Sequence, residues 1–148
     1  MSVPKTILKS VALICLLTLP AKPTIASYDD QSHETFVLVH GATGGGWDWR
    51  TMENILAKRG HKVHRITLTG LGERAHLLSP KINLTTHITD VVNNVVYEEL
   101  DNIILAGHSY GGMVVTGVMN SIPKRIKHAV FLDAAVPNHG ISAREHWG

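Results

Sequence analysis

Residues 102–121 read Asn-Ile-Ile-Leu-Ala-Gly-His-Ser-Tyr-Gly-Gly-Met-Val-Val-Thr-Gly-Val-Met-Asn-Ser, an apolar run that enters Gly107-His108-Ser109-Tyr110-Gly111 and leaves it as a helix-forming segment. A strand that passes into a helix through one tight turn restricts the fold more than any other feature of the chain. The turn holds a serine hydroxyl at the tip of the strand in strained backbone geometry, so the positions two before and two after it need glycine. A Cβ at either place would collide with the neighbouring strand or helix. This is the pattern of a nucleophile elbow, with Ser109 at its point. A bare G-x-S-x-G arises by chance in about one chain in twenty of this length. The weight therefore rests on the strand before it and the helix after it; the plain alternative is a glycine-rich turn carrying an ordinary exposed serine.

The rest of the chain alternates in the same way. Phe36-Val37-Leu38-Val39 reads as a buried strand ending at His40-Gly41. Trp49, Met52, Ile55 and Leu56 recur at helical spacing over 49–59, and Gly60 stops that helix. Residues 63–68 read as a second strand, ended by Thr69-Gly70-Leu71-Gly72. Ile88, Val91, Val92, Val95 and Val96 share one helical stripe, which predicts a helix over 86–100 with its apolar side on a sheet. Residues 103–106 form the third strand, the helix after Ser109 runs to Ser121 ahead of Pro123, and 129–132 form the fourth strand. Strict alternation implies parallel strands joined by right-handed crossovers, an α/β fold with a doubly wound, mostly parallel sheet. In such sheets ligands bind beyond the carboxyl ends of the strands, where His40, Ser109 and Asp133 all fall.

Residues 1–26 are a segment of another kind. Lys5 and Lys9 precede the run Val11 to Leu19, Pro20 breaks it, and Thr24-Ile25-Ala26 offers a small residue for cleavage, the pattern of a secretory signal peptide. The run is far shorter than the roughly 20 apolar residues that span a bilayer. Cys15 sits too deep in it, behind Ile14, for a lipoprotein signal. The expectation is a protein of 27–148, secreted or periplasmic, with no membrane span once the signal is cleaved. Cleavage removes Lys5, Lys9 and Lys22 from the 14 basic side chains and none of the 12 acidic ones, so the net charge of +2 becomes −1. With no basic stripe interleaved with aromatics, nucleic acid is not an expected partner. Cys15, the only cysteine, leaves as well, so the mature domain depends on its hydrophobic core and not on a disulfide. A 44% hydrophobic, 18% charged composition is sufficient for such a core and excludes a disordered class.

A serine hydroxyl is a weak nucleophile near neutral pH and needs a base, a group that orients the base, and donors for the oxyanion. One donor is the Tyr110 N–H at the start of the helix after the elbow, where the helix dipole adds positive potential. The other is expected from the loop His40-Gly41-Ala42-Thr43-Gly44-Gly45-Gly46-Trp47, with the Ala42 N–H as the candidate. That loop lacks the lysine and the spacing of a phosphate cradle, and no nucleotide or other cofactor is called for. The ten histidines show no H-E-x-x-H and no clustered carboxylates, and His61 and His64 would lie on opposite faces of a strand, so no metal site is expected. Most of the histidines read as surface or loop residues. Glu73-Arg74 reads either as an exposed ion pair or as pocket lining.

The His40-Gly41 loop with Trp47-Asp48-Trp49, the Gly70-Leu71-Gly72-Glu73-Arg74 loop, the elbow through Gly112, and Phe131-Leu132-Asp133-Ala134 together resemble the α/β-hydrolase superfamily. The pattern is nearest to its branch of small carboxylesterases, plant methylesterases and hydroxynitrile lyases. The resemblance runs from Thr35 to about Pro137, and the four segments stand in the family's order. It implies Ser109 as nucleophile, Ala42 and Tyr110 as oxyanion donors, and a small-molecule carboxylic ester as substrate.

The resemblance also implies a catalytic acid after a later strand and a catalytic histidine after a later one still, whereas the chain ends at Gly148. The 27–148 region is thus expected to be a partial α/β-hydrolase domain, either the front half of a longer protein or a shortened relative. Asp133 resembles the acid of some lipases in the superfamily, or serves structurally by bonding the loop after Ser109. His139 and His146 could swing towards the site; His108 is expected to point away from the serine into the sheet packing, and His40 to shape the oxyanion loop. Two rivals to ester hydrolysis remain: a C–C lyase of the hydroxynitrile type, and a non-catalytic binding or remnant protein.

Overall fold

The computed structural model describes residues 33–137, so the expected signal peptide and His139 and His146 lie outside the described residues. Four parallel strands, β1 (Thr35–Val39), β2 (Lys62–Ile66), β3 (Ile103–Ser109) and β4 (Ile126–Ala134), form one sheet in the order β2-β1-β3-β4. Between them run the helices α1 (Arg50–Lys58), α2 (Leu84–Tyr97) and α3 (Gly111–Ser121). The chain steps outward from β1 to β2, crosses back over β1 to reach β3, and steps outward again to β4. With right-handed crossovers, that order puts α1 on one face of the sheet and α2 and α3 on the other. The direction of winding reverses between β1 and β3. That switch point is where a doubly wound sheet opens a crevice at its carboxyl edge.

The alternation of strand side chains decides the two cores. Val37 and Val39 of β1, Ile66 of β2 and Ile103 and Leu105 of β3 turn to the α2/α3 face, where they meet Val91, Val95, Val114, Val115 and Val118. Burying each such side chain contributes about 1.5–3 kcal/mol relative to leaving it in water, so this face carries most of the stability. The opposite face is thinner: Leu38, Trp49 and Ala106 form its buried cluster, with Phe36 and Val63 packed on it. No residue of α1 is fully buried.

Element bounds moved from the sequence expectations where side-chain capping outweighs apolar periodicity. The stripe predicted a helix over 86–100, but α2 begins at Leu84 because Asn83 caps it. The Asn83 side chain accepts from the Thr86 N–H at 3.2 Å, and the Thr86 hydroxyl accepts from the Asn83 N–H at 3.3 Å. Its last turn closes with Leu100 N–H donating to Val95 O at 2.9 Å, beside Glu99 at φ 52. A 3-10 turn, Gly46–Trp49, precedes α1, so the helix expected from Trp49 starts at Arg50. Gly60, at φ 84, ends α1 as expected. β3 continues to Ser109 and β4 spans Ile126–Ala134, both longer than their apolar runs.

Candidate active site

Ser109 stands at φ 53 between the last residue pair of β3 and the first turn of α3, a left-handed conformation that L-residues rarely adopt. The glycines of the elbow are there for the reason the motif implies. A Cβ on Gly107 would lie 2.6 Å from Gly111 O, inside the first turn of α3. A Cβ on Gly111 would lie 2.7 Å from Val39 O and 2.9 Å from His40 O, at the carboxyl end of β1. The elbow is therefore pressed against the loop that leaves β1, at the switch point of the sheet. On the loop side Gly41 completes the contact: a Cβ there would meet Ser109 Cβ at 3.2 Å and Ser109 Oγ at 3.6 Å. Among the described residues Ser109 Oγ makes no hydrogen bond.

The loop after β1 turns at once, with Gly44 N–H directed at Gly41 O across 3.4 Å and exposed Ala42 and Thr43 at its tip. Both ends of the turn are tied. At the near end His40, buried at 1% exposure, accepts from Leu68 N–H through Nε2 at 3.1 Å. Its proton is therefore on Nδ1, which donates to Gly41 O at 2.7 Å. Burial pulls the His40 pKa below its ordinary value. A neutral imidazole with both nitrogens engaged shapes the loop, as the sequence suggested, and has no lone pair left to serve Ser109. At the far end Gly46 N–H donates to Thr67 Oγ1 at 2.7 Å, and Arg65 Nη1 donates to Gly46 O at 3.1 Å.

Glu73 and Arg74 are not paired with each other, which corrects the expected ion pair. The Thr67 hydroxyl donates to Glu73 Oε1 at 2.5 Å, and that bond is the main cause of a lowered Glu73 pKa. Arg74 Nη1 donates to Thr67 O at 2.8 Å and lies 3.5 Å from Asp90 Oδ1. Asp90 in turn accepts from both the N–H and the hydroxyl of Thr69 at 2.7 Å. A groove of about 490 Å³ opens along this cluster, lined by residues including Arg74, Asp90, Asn94 and Glu98; Ser109, Ala42 and Tyr110 do not line it.

Tyr110 opens α3, and its phenol is held by a residue the sequence reading missed. His87 Nε2 can only donate to the carbonyl of Thr69, at 2.9 Å. Its Nδ1 then accepts the Tyr110 O–H at 2.8 Å, and burial raises the Tyr110 pKa. His87 is buried at 7% exposure on a helix, so it departs from the expectation that most histidines are surface or loop residues. The signal was available: His87 lies one and two helical repeats before Val91 and Val95, on the buried face of α2. His61 precedes β2 and does not lie in it. It accepts from Glu34 N–H at 3.3 Å and meets Phe36 edge-on, while His64 stands in register with Val37 and so turns to the α2 face.

His108 is exposed, not packed into the sheet as expected. It shares the face of Ala106 on β3 and stands beside the loop after β1, where a Cβ on Gly41 would lie 3.5 Å from its Nδ1. Asp133 is also exposed, at φ 42, and is the extra residue of a bulge: Leu132 pairs with His108 and Ala134 with Ser109. The expected link from Asp133 to the segment after Ser109 is made by backbone instead, with Ala135 N–H donating to Ser109 O at 3.0 Å.

A left-handed serine at a strand-to-helix elbow, set at the switch point of a parallel sheet, defines a class of α/β protein before any comparison is made. The profile described as "Alpha/beta hydrolase family" matches residues 36–147, and the chain belongs to that family. It is 54% identical over 107 residues to a carbendazim hydrolyzing esterase of Nocardioides sp., covering 72% of this chain and 44% of that protein. It is 36% identical over 106 residues to salicylic acid-binding protein 2 of Nicotiana tabacum, covering 70% and 40% of the two chains. An extracellular α/β-hydrolase from a Paenibacillus species superposes with a TM-score of 0.68 at 31% identity, over 77% of this chain and 48% of that one. The chain thus spans less than half the length of these relatives. Among the described residues no helix is long and apolar enough to cross a membrane.

Proposed function

We propose that the protein hydrolyses carboxylic esters through an acyl-enzyme on Ser109. The single observation that carries this reading is Ser109 held at φ 53 with Gly41 packed against its side chain at the switch point of the sheet. In the reaction Ser109 Oγ attacks the ester carbonyl, the N–H groups of Ala42 and Tyr110 receive the oxyanion, the alcohol leaves, and water releases the acid. No histidine among the described residues hydrogen-bonds Ser109 Oγ, and His40 and His87 have both ring nitrogens committed, so the base in this reading is a histidine outside residues 33–137. Asp133, the bulge residue between the partners of His108 and Ser109 on the adjacent strand, is the candidate for orienting such a base. Names of similar proteins support the ester class: a carbendazim hydrolyzing esterase and methylesterase 1 of Arabidopsis thaliana are among them. Lys5, Lys9 and the apolar run after them support export, with Ser27 as the mature N-terminus.

The test is turnover of p-nitrophenyl acetate by the protein and by Ser109→Ala. Turnover that the substitution abolishes supports the reading; equal turnover in both defeats it. A binding protein without catalysis is the second reading, favoured by the absence of any hydrogen-bond partner for Ser109 Oγ among the described residues. It predicts that the wild type neither turns over the ester nor takes a fluorophosphonate label.

A further inference from the structure

The glycine-rich loop that supplies the Ala42 N–H has little holding it by its own composition. Four of the six residues from Gly41 to Gly46 are glycine, which fixes nothing by side-chain packing and loses the most conformational entropy on ordering. An oxyanion donor is effective only when it is aimed before the charge develops. The order must come from outside the loop.

His40 supplies it at the Gly41 end, and three further side chains beyond the loop supply it at the Gly46 end. The hydroxyl of Thr67, buried at 8% exposure, has one hydrogen and two lone pairs. It accepts from Gly46 N–H at 2.7 Å and gives its hydrogen to Glu73 Oε1 at 2.5 Å. Glu73 thereby sets the rotation of the hydroxyl, leaving a lone pair for the Gly46 amide. Arg65 takes the other side of the same residue, donating from Nη1 to Gly46 O at 3.1 Å, with its Nε 2.7 Å from Glu53 Oε2 of α1. The turn carrying Glu73 also packs directly on the loop, since a Cβ on Gly72 would lie 3.0 Å from Gly45 Cα. Gly46 is thus fixed at both its polar groups.

We propose that Thr67 and Glu73 are positioning residues for the oxyanion loop: Glu73 orients the Thr67 hydroxyl, and Thr67 holds the Gly46 end of the loop so that the Ala42 N–H faces the carbonyl attacked by Ser109. This rests on the esterase reading above. Neither residue touches the reacting atoms, and both act through the loop backbone. Their loss lowers the rate of acylation with little effect on how tightly the ester binds.

The test compares wild type with Thr67→Val, which keeps the shape and loses the hydroxyl, Thr67→Ser, which restores it, and Glu73→Ala at an exposed position. Two quantities are measured on each: amide hydrogen exchange over residues 41–49 by mass spectrometry, and the acylation rate constant with the ester dissociation constant, both from the pre-steady-state burst with p-nitrophenyl acetate. The expected result is exchange faster by about fivefold in Thr67→Val and Glu73→Ala, as for loss of one net hydrogen bond. The acylation rate constant falls at least about fivefold at unchanged ester dissociation constant, less than the 10²–10³ of an oxyanion donor removed outright. Thr67→Ser recovers both. Unchanged exchange in Thr67→Val and Glu73→Ala overturns the inference, as does faster exchange with unchanged acylation, which would make the network purely structural. A wild type that fails to acylate overturns the esterase reading itself, a result distinct from any difference among the variants.

Discussion

Ser109 is held in a conformation that costs an L-residue about 1–2 kcal/mol and glycine almost nothing. Comparing Ser109→Gly with Ser109→Ala separates that strain from the chemistry, because both lose the hydroxyl and only alanine keeps the strain. Ser109→Gly is expected to melt above Ser109→Ala by an amount equivalent to about 0.5–1 kcal/mol, after the larger chain entropy of glycine is set against it. Identical melting temperatures would mean that the elbow stores no strain. His40 gives a pH prediction. Burial lowers its pKa in the folded protein below the 6.5 of an exposed imidazole, and His64 shifts in the same direction. The unfolded chain therefore takes up these protons at a higher pH than the folded one, so their contribution to stability is complete above about pH 6.5 and is lost as pH falls towards the folded values. Thermal melts between pH 7.5 and 5 should show stability dropping over this window. The drop should be shallower in His40→Asn, and an equal slope in the variant would show that His40 is not its source.

Two elements set the site, the elbow and the loop after β1, and their glycines are not equivalent. Gly111→Ala drives a Cβ into the carbonyls of Val39 and His40, which are backbone and cannot step aside. A Cβ on Gly44 would meet only the side chain of Asp48, which can rotate away. Gly111→Ala is expected to destabilise by several kcal/mol, like other overpacked core sites, and Gly44→Ala by less than about 1 kcal/mol. Chemical denaturation of the two variants checks this; equal losses would contradict the tight approach of the elbow to β1. The elbow was legible in the sequence because its requirement is local: the two glycines and the serine lie within five residues. The same holds for the strands, whose apolar runs need no partner to be recognised. The clasp of Thr67 and Glu73 on Gly46 was not legible, because its members are 21 and 6 residues apart in sequence and meet only once β2 lies beside β1. Nor was the role of His87, since a polar residue on a helix stripe declares its burial but not that Tyr110 and Thr69 O will satisfy it.

At the scale of the molecule, the strand order places the elbow and the glycine loop at the centre of the sheet and an apolar strand at its edge. Among the described residues β4 pairs only with β3, and Val130, Phe131 and Leu132 are 45%, 37% and 50% exposed. An edge of that kind templates further strand pairing. Residues 27–148 expressed alone are expected to associate, and Leu132→Lys to raise the monomer fraction seen by light scattering. A monodisperse monomer without the substitution would show that the edge is covered. The parallel order itself followed from alternation of strand and helix, but the reversal between β1 and β3 did not, since alternation is the same whichever side each crossover takes. That reversal brings the glycine loop to Ser109, the proposed nucleophile. The most direct measurement treats the protein purified from the cells that make it with a fluorophosphonate and maps the adduct by mass spectrometry after tryptic cleavage. One adduct is expected, on Ser109 within the peptide Ile82 to Lys124, with loss of ester turnover in proportion to labelling. An adduct on another residue, or full turnover with Ser109 unmodified, would contradict that assignment.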